Sequence, residues 1–448
     1  MLVDGVRNAC ALPASEKASM NTAEPEHRAP MRFFRMPKDD RFESGLAFLA
    51  DPYRYIREQC RQQGSDLFQA RILLHKTVCM TGPHAAELFY DPRHFVRAGA
   101  APEPVRATLF GKGGVQGLDG EAHRHRKAML MDVLGAASVS RLVARFVDEC
   151  HRSASAWRTR ERVVLYEEAQ ALLTRSVCDW AGVPLPRHDL ALRTAQLVSL
   201  FNDAAALDWR HLRARYARAR AEQWLASFVV DVRAGRVDIA TDAPAWRIAM
   251  HRHTDGELLS PRVAAVELLN LLRPTVAVAV FIVFVVHALH EHPECRQALQ
   301  HGDDRQTEAF VNEVRRFYPF FPALVARARH DFEWNGYSFR QGRRAMLDVY
   351  GTNHDPRCWQ APDLFRPERF IKERVLPFGF IPQGGGDAST HHRCPGEGAV
   401  VGLMKAAAAF LANEIRYELG GHDLRIDMAR APALPKDRLV LRRVRPAN

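Results

Sequence analysis

The chain has 448 residues, 47% of them hydrophobic and 26% charged, which is enough apolar material for a large core at an ordinary charge fraction. Its net charge of +11 comes from 63 basic and 52 acidic residues. The arginines are spread along the chain and form no compact Lys/Arg tract, which argues against a nucleic-acid surface and leaves only a general preference for anionic ligands. Eight cysteines at irregular spacing, with no CxxC pair, argue against a disulfide framework and fit a reducing cytoplasm.

In chain order, residues 1–30 mix Ala, Ser, Glu, Pro and Arg without an apolar core, so they are expected to be a disordered leader and not a signal or anchor. Residues 31–448 show no repeat or low-complexity linker and read as one domain. The middle, from about 120 to 325, reads mostly helical. Ser260-Pro261 suits a helix start, with Ser as N-cap and Pro in the first turn, and the pattern runs to about His290. Its greasiest run, Val276 to Val286, is too short to span a bilayer, so a buried central helix is expected and no transmembrane segment. Asp303 and Gln306 predict a capped start for another helix, with Phe310, Val311, Val314 and Phe317 on one face. Strand signals are confined to Phe332–Phe339, a hairpin around Asn335-Gly336, and to the tail near Arg438–Val444. The fold class is mainly α with a small β component.

Two places are chemically unusual. Gly384-Gly385-Gly386 precedes Arg393-Cys394-Pro395-Gly396, and an Ala-rich helical pattern follows to about Ile415. Pro395 suits a first helical turn, which puts Cys394 at the N-cap, where free N–H groups and the helix dipole lower a thiol pKa. The glycines let backbone pass close to a large flat ligand. An inert buried cysteine remains the other reading. The second place is Arg273-Pro274 in the apolar helix. The neighbours of Arg273 at three and four positions are Leu269, Asn270, Val276 and Ala277, and none is a carboxylate. Burying it unpaired costs several kcal/mol. It therefore snorkels, finds a distant acid or receives an anionic ligand. Pro274 removes one backbone hydrogen bond and is expected to kink the helix there.

The Phe380…Gly…Arg393-Cys394-Pro395-Gly396 pattern resembles the haem-binding loop of the cytochrome P-450 superfamily. Glu313-Val314-Arg315-Arg316 resembles its Glu-x-x-Arg helix, and Phe365-Arg366-Pro367-Glu368-Arg369-Phe370 its downstream Pro-Glu-Arg-Phe segment, in the same order. The resemblance implies a cytochrome P-450 fold, with 31–448 a single haem domain and Cys394 the thiolate ligand of haem b. It further implies that Arg393 belongs to the cofactor loop, that Glu313, Arg316 and Arg369 form a structural network, and that His123 and Lys127 contact the haem propionates.

The central helix lacks the acid-Thr pair of most relatives. Arg273-Pro274, Gln383-Gly384-Gly385-Gly386-Asp387, the segment from Phe317 to Pro322 and the segment from Leu109 to Gly120 resemble the fatty-acid peroxygenase branch instead. That branch implies long-chain fatty acid and hydrogen peroxide as substrates, hydroxylation at C2 or C3, and no obligatory redox partner. Arg273 would hold the substrate carboxylate, which acts as acid–base for peroxide, with Pro274 shaping the site. Gln116 lies near the haem in such relatives, where Gln accompanies hydroxylators and His accompanies decarboxylases. Leu109, Phe110 and, more weakly, Phe320 would wall the pocket. The rival readings are a fatty-acid decarboxylase giving terminal alkenes, a reductase-dependent monooxygenase, and a non-catalytic haem or lipid-binding protein.

Overall fold

A computed structural model describes residues 35–447, apart from 205, 207 and 422. The expected leader, 1–30, lies outside the described residues. The molecule is organised around the central helix Pro261–Glu291, whose N-cap Ser260 accepts from the Val263 N–H at 3.3 Å. It is buried from Ala264 to Leu289, Pro274 alone excepted, and it runs unbroken across that proline. By length and composition it could cross a membrane, but 89% of its most apolar window is buried inside this fold. Helices Leu165–Ala181, Trp209–Arg233 and Glu397–Ala409 pack around it. All of them contribute to the largest of three hydrophobic clusters among the described residues.

The β component is larger than the sequence patterns show. Strands β1 (Leu67–Ile72), β2 (His75–Met80), β3 (Phe95–Val96), β5 (Ala323–Ala328) and β8 (Arg344–Asp348) form a five-stranded sheet in the order β1-β2-β8-β5-β3. All but the β2–β8 pair are antiparallel. Strand β8 is buried at every position, so it carries no alternation for the eye to find. The expected hairpin forms β6 (Phe332–Trp334) and β7 (Tyr337–Phe339), turning on Asn335 and Gly336 at φ +49° and +77°. The tail strand β10 (Val440–Pro446) joins β4 (Val163–Val164) and β9 (Ile415–Leu419).

Helix Asp304–Phe317 starts as predicted, with the Asp303 side chain accepting from the Gln306 N–H at 2.9 Å. It delivers Glu313 and Arg316 into the core. Arg316 makes two bonds to the Glu313 carboxylate, at 2.7 and 2.8 Å, and Arg369 reaches it at 3.2 Å. None of the three is exposed. The remaining guanidinium N–H groups donate to backbone carbonyls of Asn353, Pro362, Leu364 and Gln360 at 2.8–3.2 Å. One carboxylate thus organises the whole irregular stretch before the cysteine loop. Glu313→Ala strands two buried guanidiniums and should destabilise the protein by about 3–5 kcal/mol in denaturant titration. A loss below about 1 kcal/mol would show that the network is not structural.

Asp348, at the end of β8, is fully buried, and burial pushes its carboxyl up to about 7. A raised carboxyl pKa means that the folded chain holds the proton over a range where the unfolded chain has lost it. Its contribution to stability is therefore complete below about pH 4 and is lost as pH rises through about 7. Relative to Asp348→Asn, the stability of the parent should fall by up to about 1.4 kcal/mol per pH unit across that window. A flat difference would show that Asp348 ionises as it does in the unfolded chain.

Candidate active site

The cysteine loop is held from several sides. The Cys394 N–H donates to the Gln383 carbonyl at 2.9 Å. Arg315 donates to the Gln383 side chain at 2.8 and 3.1 Å and pairs with Glu397, which also takes Arg393 at 2.6 Å. Lys127 donates to the carbonyls of His391 and Arg393, the latter at 2.7 Å. Gly384, at φ +97°, sits where a Cβ would lie 2.9 Å from the Tyr90 hydroxyl and 3.2 Å from the Arg393 Cα, so the turn admits no side chain. The helix after the loop begins at Glu397 with Gly396 as N-cap, and not at Pro395. Cys394 is therefore not the cap residue. Its sulfur still receives the Gly396 N–H, and Lys127 and Arg315 lie close enough to favour the thiolate, yet burial outweighs them and pushes the thiol up. The helix terminus thus acts in the expected direction through the Gly396 N–H but is smaller than burial, and a bound cation would add to it in favouring the thiolate.

The central helix carries Arg273, 6% exposed and near enough to Cys394 to feel its charge. It has no ion pair among the described residues, and its Nη1 is buried without a hydrogen-bond partner. Burial and the nearby Arg218 push its guanidinium down to about 9, and Cys394 is the one group that opposes them. By contrast, the acid on the same helix is satisfied: Glu267 takes Arg126 at 2.8 Å and the Asn270 amide at 2.9 Å. Gln116, in the short turn Val115–Gly117, and Asn270 each have a buried side-chain oxygen without a partner. A Cβ on Gly114 would lie 3.0 Å from the Asn270 amide nitrogen and 3.2 Å from the Gln116 oxygen, so the two side chains share one small space.

Leu109 and Phe110 end the turn Arg106–Phe110, and the carbonyls of Thr108, Leu109 and Phe110 accept from Arg218 at 3.3–3.4 Å. Arg218 in turn pairs with Glu222 at 2.7 Å. A Cβ on Gly111 would lie 1.9 Å from Arg218, so that glycine lets the segment dock on helix Trp209–Arg233. Phe320 packs its ring on Phe281 at 4.5 Å from the central helix and on Phe321 at 4.6 Å.

Of the cations expected near a haem edge, His123 is buried and stacked on His392 at 4.0 Å, and burial holds it at about 3, hence neutral. Lys127 is occupied by the loop carbonyls, and Arg393 by Glu397. Sequence reading missed Arg97. Its guanidinium lies 4.1 Å over the Phe89 ring with Nη1 buried and unpartnered, and Asp119 accepts from its backbone N–H at 2.9 Å. Nothing in the local pattern around Arg97 marks it; only the fold brings it beside the His392 end of the loop.

These residues fit a haem. Cys394 offers sulfur from a glycine-shaped loop, Arg97 and His123 lie at its margin, Gln116 and Asn270 share one space with an unpartnered oxygen each, and Arg273, three residues on from Asn270 in the central helix, carries an unpartnered Nη1. Because Arg273 is a buried cation without a partner, Arg273→Leu should not lower the unfolding midpoint of the ligand-free protein and is expected to raise it. A clear drop in the midpoint would mean that an internal partner holds the guanidinium.

The model of the cytochrome P-450 family matches residues 303–408. Cytochrome P-450 71A8 of Mentha piperita is 30% identical over 184 residues, 36% of each chain, so the chain aligns with about a third of that curated relative's length. Among the solved structures that match over nine-tenths of the chain are three of note. Cytochrome P-450SP alpha (CYP152B1) in complex with (R)-ibuprofen is 49% identical, with a TM-score of 0.89 over 91% of this chain and 100% of that one. Cytochrome P-450EX alpha (CYP152N1) with myristic acid is 39% identical at the same TM-score, over 92% of this chain and 100% of that one. A variant of cytochrome P-450 OleT with arachidonic acid is 30% identical at 0.89, over 93% and 99%. With a cysteine loop, a Glu-x-x-Arg network and a central helix in these positions, the chain belongs to the cytochrome P-450 family and, within it, to the CYP152 group.

Proposed function

We propose that this protein is a haem-thiolate fatty-acid peroxygenase that hydroxylates long-chain acids at C2 or C3 with hydrogen peroxide. The observation that carries the proposal is Arg273: a buried guanidinium with no acid partner, on the side of the site facing Cys394. Such a group calls for an anion from outside, and a carboxylate matches its fork in a bidentate contact. Myristic and arachidonic acids in two of the related structures are ligands of that chemistry.

When bound, a haem on Cys394 supplies the oxidising chemistry. The chain's own residues decide what is oxidised and where. Arg97 and His123 would hold the cofactor's carboxylate edge, while Lys127 keeps the loop in shape. Arg273 fixes the substrate carboxylate, so C2 and C3 are the carbons nearest the anchor and regiochemistry follows from distance. The anchored carboxylate moves the proton of peroxide, the task that an acid-Thr pair performs elsewhere in the superfamily. Leu109 and Phe110, held by Arg218, exclude water over the chain, and Phe320 does so on the other wall. Gln116 can accept a hydrogen bond through its unpartnered oxygen but cannot deliver a proton, which favours hydroxylation over loss of carbon dioxide. The peroxide route uses no redox partner. A cytoplasmic setting belongs to the same proposal, supported by free cysteines at every described position.

Haem-loaded protein mixed with tetradecanoic acid and hydrogen peroxide, with no reductase, should give 2- or 3-hydroxytetradecanoic acid by mass spectrometry. Arg273→Ala should keep the haem spectrum and lose at least about 100-fold in turnover, in line with removal of one partner of a buried charged pair. Turnover unchanged in that variant, or product only with an electron-donor system, would overturn the anchor. Alkene as the main product would assign the decarboxylase chemistry instead.

A further inference from the structure

The sheet carries a second group of cations that the proposed reaction does not use. His75, Lys76, Arg327, Arg340, Arg343 and Arg344 line a cavity of about 290 Å³ at one end of the five-stranded sheet. The sheet register places like charges directly opposite one another. Arg327 of β5 faces Arg344 of β8, and Arg71 of β1 faces Lys76 of β2. Opposed like charges destabilise a sheet. Acids do not relieve them: among the described residues, Arg340 pairs with Asp331 at 2.6 Å, while Lys76, Arg327, Arg343 and Arg344 form no ion pair. Arg344 is 6% exposed and its Nε is buried without a hydrogen-bond partner. Burial and Arg327 both push its guanidinium down. The turn that closes the cavity, Gln341-Gly342, leaves open space where a Cβ on Gly342 would be.

We infer that this cavity binds a phosphate-type polyanion, a diphosphate or phosphodiester group held by Arg344 and Arg327 from the sheet and by Arg343 and Lys76 from its rim. A single carboxylate would leave most of these cations unpaired, whereas phosphate oxygens accept from several guanidiniums at once, two of them in a bidentate contact. The phosphate has two possible sources, a soluble phosphate ester or the headgroup of an anionic lipid. The lipid source has added support in shape. The β1–β2 turn beside His75 exposes Leu73 by 44% and Leu74 by 70%, and Phe42 next to it, under the Arg71 guanidinium at 5.0 Å, is 77% exposed.

The test is calorimetric titration of the haem-loaded protein with inorganic pyrophosphate, against sodium chloride at matched ionic strength. Saturable binding, weakened at least tenfold in both Arg343→Gln and Arg327→Gln with the haem spectrum and fatty-acid turnover unchanged, is the expected result. In parallel, the protein is sedimented with phosphatidylglycerol vesicles and with phosphatidylcholine vesicles. Binding to the anionic vesicles alone, displaced by pyrophosphate and lost in Leu73→Ser/Leu74→Ser while pyrophosphate affinity persists, assigns the lipid source. Pyrophosphate binding without vesicle binding assigns a soluble one. Heats no larger than those of chloride, affinity untouched by Arg343→Gln, or vesicle binding without pyrophosphate binding would each overturn the site.

Discussion

A carboxylate with no exposed surface, Glu313, is shared by two guanidiniums with none, Arg316 and Arg369. The irregular stretch before the cysteine loop hangs from that arrangement. The spare N–H groups of the two arginines collect the carbonyls of Asn353, Gln360, Pro362 and Leu364. That segment is irregular, and its backbone groups need partners once buried. Asn353 then accepts from the Ile381 N–H at 2.8 Å, which carries the order on to the start of the glycine loop. Arg315, the next residue along the same helix, holds the other end through Gln383 and Glu397. One helix, with three charged residues in a row of four, thus holds the approach to Cys394, and Lys127 holds the loop from another side.

The opposite side of the site follows a different rule. There a buried charge is left unsatisfied. Glu267 and Arg126 neutralise each other in the same helix layer, so the fold is able to pair a buried charge where it needs to. Six residues on, it leaves Arg273 without a partner. Arg218, the nearest other cation, cannot relieve it and is itself committed to Glu222 and to the carbonyls of the pocket wall. The contrast within one helix is the physical basis for assigning an incoming carboxylate to Arg273. The cavity on the sheet repeats the logic at a smaller depth, with Arg344 and Arg327 opposed and unrelieved.

The net positive charge of the chain also takes on a meaning that its total could not supply. Many arginines are surface pairs such as Arg61 with Glu58 and Arg93 with Asp91, which contribute little. The informative ones are the few that are buried or opposed without an acid.

What the sequence determined was chemistry that depends on residue identity and short spacing. The Cys394 loop, the Glu313–Arg316 pair three apart on a helix, the Ser260 and Asp303 caps, the Asn335-Gly336 hairpin and the lack of an acid three or four positions from Arg273 were all legible, because each is a local relation within one element. What only the tertiary structure decided involves groups far apart in the chain or a competition between burial and charge. Burial set against the Gly396 N–H decides the balance at the Cys394 thiol, and the helix begins at Glu397 with Gly396 as the cap. Lys127, read from the sequence only as a cation on a helix face, also proves to brace the cysteine loop, and Arg97 comes to the margin of the site from just after β3, with no distinguishing pattern around it. The five-stranded sheet stayed hidden because β8 is buried on both faces, and with it the register that sets Arg327 against Arg344. Whether a charge is paired is a property of the folded neighbourhood, and the sequence can show only that no partner stands nearby along the chain.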